Sequence, residues 1–335
     1  MLEFSSHIKA KIFSIQTDKD FNEVALNIFY YQAKNNEVYK LFLKLINCSP
    51  SKIIDYKQIP FLPIQFFKSL EVVVANKSVT KVFKSSGTTA TGKSQHLVTD
   101  LSIYEASFVN GFSHFYGNIE NYVVLALLPN YLEQGESSLV YMVDKLIDLS
   151  DNKDSQYCLE DLSETKNLLQ KLAKQNQKVL LIGVSYALLD LIEEENLNLN
   201  KNFLIMETGG MKGRRKELTK PELHKVLKKG FDVDIVHSEY GMTELLSQAY
   251  SQQDGLFKTP PWMKVLIRDI NDPLSFQTKN KSGGINIIDL ANVNSCSFIA
   301  TQDLGKVNKE NNSFEILGRF DYSDTRGCNL LVGEI

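Results

Sequence analysis

Apolar positions between residues 20 and 46 recur at helical spacing (Phe21, Val24, Ala25, Ile28 and Phe29, then Val38, Leu41, Phe42 and Leu45) and predict two amphipathic helices. The stretch from 59 to 67 contains Pro60 and Pro63, each of which removes a backbone donor and fixes φ, so it reads as an extended connection. From there to about residue 240, short β-rich apolar runs at 123–128, 179–182, 203–206 and 233–236 alternate with helical patterns at 137–149, 163–175, 185–195 and 219–229. Continuous apolar runs joined by crossover helices mean strands covered on both faces, hence an α/β fold with a mostly parallel sheet flanked by helices. The last of these helices has Thr219 and Glu222 at capping-box spacing and is expected to stop at Gly230, after Lys228 and Lys229. Beyond Leu256 the pattern changes to short strands at 265–267, 285–290, 298–301 and 314–317, separated by Asn, Asp and Gly turns, which predicts a smaller β-rich subdomain. The expected organisation is a helical lead-in over 1–80, an α/β core over 81–255 and the β-rich subdomain over 256–335.

Composition narrows the class. With 335 residues, 43% hydrophobic and 23% charged, the chain can bury a substantial core, and 37 Lys+Arg against 40 Asp+Glu give a net charge of −3, which argues against nucleic acid as a main partner. Lys9 and Lys11 fall where a signal peptide needs its apolar stretch, and the longest apolar run, 123–128, is far short of the ~20 residues that span a bilayer. A cytoplasmic protein without a membrane span is expected. Cys48, Cys158, Cys296 and Cys328 form no CxxC pair, so they read as reduced thiols rather than a disulfide framework or zinc site.

Four stretches could carry chemistry. Residues 85–93, SSGTTATGK, offer hydroxyl and unobstructed backbone donors next to a lysine, which suits a polyphosphate. The pattern from Gly87 to Ser94 also fits GxxxxGK[ST], so a P-loop NTPase stays open, with Asp289 as its magnesium carboxylate; against it, residues 95–99 read as a strand and the next helix signal waits for Asp100. Gly183-Val184-Ser185-Tyr186-Ala187 lies between a strand and a helix like a hydrolase nucleophile elbow, with Asp232, Asp234 and His237 downstream, although Ser185 reads more simply as a helix N-cap. His237–Glu244, HSEYGMTE, follows the run ending at 236, and in open α/β sheets ligands bind beyond the carboxyl ends of strands. Residues 207–213, ETGGMKG, follow another run, and their glycines let a flat ring approach the backbone.

The serine/threonine/glycine loop, the YGMTE pentad, Thr301-Gln302-Asp303 and Gly318-Arg319-Phe320-Asp321 occur in the order seen in acyl-adenylate-forming enzymes, which couple ATP to a carboxylate. Within them, IPFLPIQFFKS (59–69), LLPNYLEQGESSLVYMV (127–143), TGGMKGRRKEL (208–218) and RGCNLL (326–331) resemble the acyl-protein synthetases, the bacterial long-chain-fatty-acid luciferin-component ligases. The resemblance covers roughly residues 55 to 335. It implies ATP and Mg2+ as cofactors, with Ser85, Ser86, Gly87, Thr88, Thr89 and Lys93 around the triphosphate. Gly209, Gly210 and Met211 would line the adenine, with Tyr240 stacking on it beside Gly241. Thr243 would meet the α-phosphate, Glu244 the magnesium, Asp303 the ribose hydroxyls and Arg319 the ribose and phosphate, while Ser185 would join the acyl-pocket wall. It further implies a fatty acid substrate, Cys328 as acyl acceptor and a protein partner such as an acyl reductase.

The segment 128–135 has Leu132 where an acyl-CoA synthetase often has histidine, the hinge GRFDYSDTRG is one residue shorter than usual with no lysine before its Arg-Gly, and the sequence ends at Ile335, from which the mobile C-terminal domain is expected to be absent. Domain rotation toward coenzyme A is therefore not expected. Arg326 favours a Cys328 thiolate over the ordinary pKa of about 8.5 and Asp324 opposes it. A non-catalytic nucleotide- or acyl-binding scaffold is the reading from a different class.

Overall fold

The computed structural model describes residues 2–85, 92–128, 136–158, 161–175, 177–209, 215, 218–277, 281–308 and 312–320, the first five of these as backbone. Three helices lead in: α1 (Leu2–Phe13), α2 (Asp18–Asn35) and α3 (Glu37–Leu45). The proline-bearing stretch yields β1 (Leu62–Pro63) and the single turn α4 (Phe66–Ser69). A hairpin of β2 (Lys81–Lys84) and β3 (Gln95–Val98) comes next, then α5 (Leu101–Tyr116), capped by Asp100. The alternating core is β4 (Tyr122–Leu127), α6 (Ser138–Ser150), β5 (Gln156–Tyr157), α7 (Leu162–Ala173), β6 (Lys178–Val184), α8 (Ser185–Leu191), β7 (Phe203–Thr208), α9 (Lys220–Phe231) and β8 (Val236–Tyr240). Then follow β9 (Ala249–Ser251), β10 (Phe257–Lys258), β11 (Met263–Arg268), β12 (Gly283–Asp289), β13 (Phe298–Asn308) and β14 (Ser313–Arg319).

Among the described residues, β4 through β14 form one sheet in the order β11-β12-β13-β14-β10-β9-β8-β7-β6-β4-β5, and β1 joins it beside β13. The pairs from β5 through β8 are parallel, as continuous apolar runs linked by crossover helices require, and β4 and β7 are buried along their whole length. From β8 through β14 to β11 the pairing is antiparallel, and the sheet continues unbroken across residue 255. No described helix is long and apolar enough to cross a membrane.

Local differences from the expected elements have local causes. The last crossover helix does not stop at Gly230 but continues to Phe231, and Asp232 supplies the left-handed cap at φ 55. Val233 closes that cap with its N–H on the Lys228 carbonyl (3.1 Å), so β8 starts at Val236 rather than at 233. Helix α8 ends at Leu191 instead of reaching 195.

Gly230 is in the helix because no side chain fits there: a Cβ would come within 2.2 Å of Ile192 Cδ1 and 2.8 Å of its Cβ. Helix propensity alone favours Gly→Ala by about 1 kcal/mol, while overpacking costs roughly 1–3 kcal/mol. Because the Ile192 Cβ cannot swing away, Gly230→Ala is expected to lower the melting temperature by a few degrees; an unchanged or higher value would show that the α8 and α9 ends separate freely.

Candidate active site

The carboxyl ends of β6, β7 and β8 lie side by side, with Val184 opposite Thr208 and Thr208 opposite Glu239, so Ser185, Gly209 and Tyr240 emerge on one edge. Gly209 adopts φ +69, which its missing side chain permits, and its carbonyl accepts from Ser185 Oγ at 3.0 Å. Tyr240 Oη donates to Asp303 Oδ2 at 2.7 Å, and Arg319 Nε donates to Asp303 Oδ1 at 3.0 Å. Asp303 and Arg319 face each other across β13 and β14. The Asp303 side chain is 8% exposed and Arg319 75%, so a buried carboxylate, fixed from two sides, stands at the base of a cationic arm that reaches into solvent. The Tyr240 ring is held edge-on by Phe257 and Phe314.

The second half of the site is the hairpin. Ser85 N–H donates to the Ser94 carbonyl and Ser94 N–H to Ser85 Oγ, both at 3.0 Å, which pinches the loop between them at its mouth. Lys93 is exposed on the returning arm, two residues before a strand. A Walker A lysine opens a helix, so the P-loop reading is overturned. Its proposed carboxylate, Asp289, is wholly buried and its acceptor capacity is spent on the N–H groups of Leu246, Ser247 and Ala291 and on Ser247 Oγ.

The hairpin is tied to the YGMTE segment through His96. Its Nδ1 lies 2.9 Å from the Thr243 carbonyl, and burial depresses the imidazole to about 4, so the ring is neutral and Nδ1–H is the donor that a carbonyl requires. Ser94 hydrogen-bonds the Glu244 carboxyl, whose pKa is raised by burial, and Asn292 Nδ2 donates to the Glu244 carbonyl at 2.8 Å. No helix follows Thr243; the chain turns instead. No cluster of three or more His, Cys, Asp or Glu side chains suited to a metal occurs among the described residues. Glu244 is the one carboxylate that the resemblance offers magnesium, an ion commonly held by one or two carboxylates together with substrate phosphates. Of the residues expected at the site, Ser86, Gly87, Thr88, Thr89, Gly210, Met211 and Cys328 lie outside the described residues.

The hydrolase reading is also overturned. Ser185 does not cap the helix; Val184 occupies that position without a side-chain bond, and the Ser185 hydroxyl turns to Gly209 and to Glu207 Oε2 (3.3 Å). His237 lies two strands away against Tyr116 (3.4 Å).

Beneath the site, strand alternation sends Glu207 and Ser238 toward α9 and Thr208 and Glu239 the other way. Glu207 is 1% exposed; burial opposes its charge, but Lys220, with His224 and Ser238, outweighs this and holds it at about 2. Glu239, buried and accepting from Thr208 Oγ1 at 2.5 Å, is pushed up to about 7, chiefly by burial, with the Glu207 charge adding to it. Glu207, Ser238 and Glu239 fall within the ETGGMKG and HSEYGMTE stretches, but nothing in either string pairs them with α9.

The raised Glu239 carboxyl has a testable sign. A folded pKa above the unfolded value of 4.5 gives stability that is complete below about 4.5 and lost as pH rises through about 7. Glu239→Gln removes this loss, so it should stabilise the protein by on the order of 2 kcal/mol at pH 8 and by nothing at pH 4.5. Melting curves of both proteins across this range check it; an equal difference at both ends would show that Glu239 is ionised throughout.

A family model described as acyl-protein synthetase, LuxE, matches residues 9–335. It extends over the lead-in helices, which the motif resemblance from about residue 55 did not reach. No curated protein matches. Among solved structures, ATP-bound MatB from Rhodopseudomonas palustris has a TM-score of 0.54 at 15% identity, covering 73% of this chain and 50% of MatB. A 2-hydroxyisobutyryl-CoA ligase in the postadenylation state, in complex with 2-HIB-AMP, has a TM-score of 0.65 at 14% identity, covering 91% of this chain and 68% of that one. The chain thus spans about half the length of MatB, and at these identities the likeness is one of fold, that of adenylate-forming enzymes.

Proposed function

Because the chain belongs to the LuxE acyl-protein synthetase family, we propose that it activates a fatty acid with ATP, releases pyrophosphate, and passes the acyl group from the resulting adenylate to a protein thiol. The observation that carries this reading is the Tyr240–Asp303–Arg319 arrangement on the same sheet edge as Gly209. A carboxylate offers two acceptor oxygens, which suits the vicinal hydroxyls of a ribose. Gly209 with Gly210 and Met211 would then line the adenine, and Tyr240 with Gly241 would bound it.

Ser85 through Thr89 and Lys93 would hold the triphosphate, and Thr243 would meet the α-phosphate. Magnesium, held by Glu244 and phosphate oxygens, would neutralise charge developing there. In the first step a carboxylate oxygen of the fatty acid attacks the α-phosphorus, the bond to the β-bridging oxygen breaks, and pyrophosphate leaves. In the second a thiolate attacks the acyl carbon and AMP leaves, giving a thioester that keeps much of the activation. Cys328 is the proposed acceptor, with a long-chain acid as substrate, cytoplasmic operation, and an acyl-receiving enzyme such as a reductase as partner.

The test is pyrophosphate release with ATP, magnesium and fatty acids of graded length. Hydroxylamine in the same mixture should trap acyl hydroxamate. If neither product accumulates with any acid, the enzymatic reading fails and a nucleotide-binding scaffold takes its place.

A further inference from the structure

Resting on the reading of Gly209 as part of the adenine platform, we propose that Glu207, Lys220 and Ser185 form a positioning relay that fixes the Gly209 turn and so sets the affinity for ATP. The relay is continuous. Lys220 Nζ pairs with Glu207 Oε1, and the single Ser185 hydroxyl proton is shared between Glu207 Oε2 at 3.3 Å and the Gly209 carbonyl at 3.0 Å. Ser238 Oγ and His224 Nε2, 3.2 Å apart, close the far side, the imidazole lying 3.5 Å from Glu207.

Three features set this pair apart from an ordinary structural salt bridge. Lys220 opens α9, where a cation is disfavoured by the helix dipole, so local helix preference does not account for it. Its ammonium is also held 5.1 Å over the Phe257 ring, and Phe257 packs against Tyr240, so the relay touches both walls of the proposed adenine slot. A buried ion pair is weak evidence for stability, since well-packed apolar replacements are often neutral or stabilising. Conformational specificity at Gly209 is therefore the contribution left for it.

Two variants separate positioning from stability. Ser185→Ala keeps the ion pair and removes the hydroxyl shared by Gly209 and Glu207. Glu207→Leu combined with Lys220→Met replaces the pair by apolar groups and is expected to melt no lower than the wild type. Both should weaken ATP binding about tenfold by calorimetry and raise the KM for ATP to match, the loss appearing in the KM for ATP more than in kcat. Unchanged ATP affinity in Ser185→Ala, or a fall in kcat alone, overturns the relay. If the wild type itself binds no ATP, the nucleotide reading fails first and the relay with it. If the wild type binds and turns over ATP while both variants do the same with unaltered KM, only the relay fails.

Discussion

Replacing Asp303 by alanine is expected to lower kcat/KM for ATP by roughly two to three orders of magnitude. A hydrogen bond to a charged group contributes about 1.5–3 kcal/mol, and a carboxylate spanning two ribose hydroxyls makes two of them. About 3–4 kcal/mol at about 1.4 kcal/mol per tenfold gives the stated loss. The substitution also strips Tyr240 Oη and Arg319 Nε of their shared acceptor. Asp303→Asn is the milder control: it keeps an oxygen for one partner but puts an amide where two acceptors stood, and it should lose about tenfold. Pyrophosphate-release kinetics over an ATP range check both, with melting curves to show that the proteins are folded. A folded Asp303→Ala protein within threefold of wild type removes ribose recognition from this residue.

Cys328→Ser is expected to abolish the hydroxylamine-labile label that radioactive fatty acid and ATP leave on the protein, while pyrophosphate release in the presence of hydroxylamine continues. The other cysteines are poor competitors. Burial pushes Cys296 up to about 12 and Cys158 up to about 11, and it raises Cys48 as well. Only the thiolate attacks an acyl adenylate, and at neutral pH a thiol near 11 is ionised in about one molecule in ten thousand. Serine at 328 offers no comparable nucleophile without a base beside it. Replacing Cys48, Cys158 and Cys296 together should leave the label in place. A label that survives Cys328→Ser and disappears in the triple variant transfers the acceptor role to Cys48, Cys158 or Cys296.

Strands β4, β6 and β7 were readable because a strand buried on both faces leaves an unbroken apolar run, and α9 because Thr219 and Glu222 form the capping box their spacing promised. The pattern places β8 three residues early because its buried positions beyond Val236 are Ser238 and Glu239 rather than apolar, while Val233 and Ile235, apolar in pattern, belong to the turn after Asp232. The site residues Tyr240, Asp303 and Arg319 were named from motifs. That Tyr240 donates to Asp303, 63 positions away, was not written in either motif. His96 and Lys220 carry no motif, and each gains its meaning from a partner on another element.

The amino-acid pattern alone determined which segments become strands and helices, and the family, since these depend on short-range periodicity and on strings that carry their chemistry wherever they fold. Tertiary structure decided which residues meet and in what protonation state. It turned Ser185 toward Gly209 instead of His237 and set Glu207 near 2 and Glu239 near 7 on neighbouring strands. The reason is physical: hydrophobic burial follows local spacing, whereas hydrogen-bond partners, charge pairing and desolvation depend on distances across the sheet.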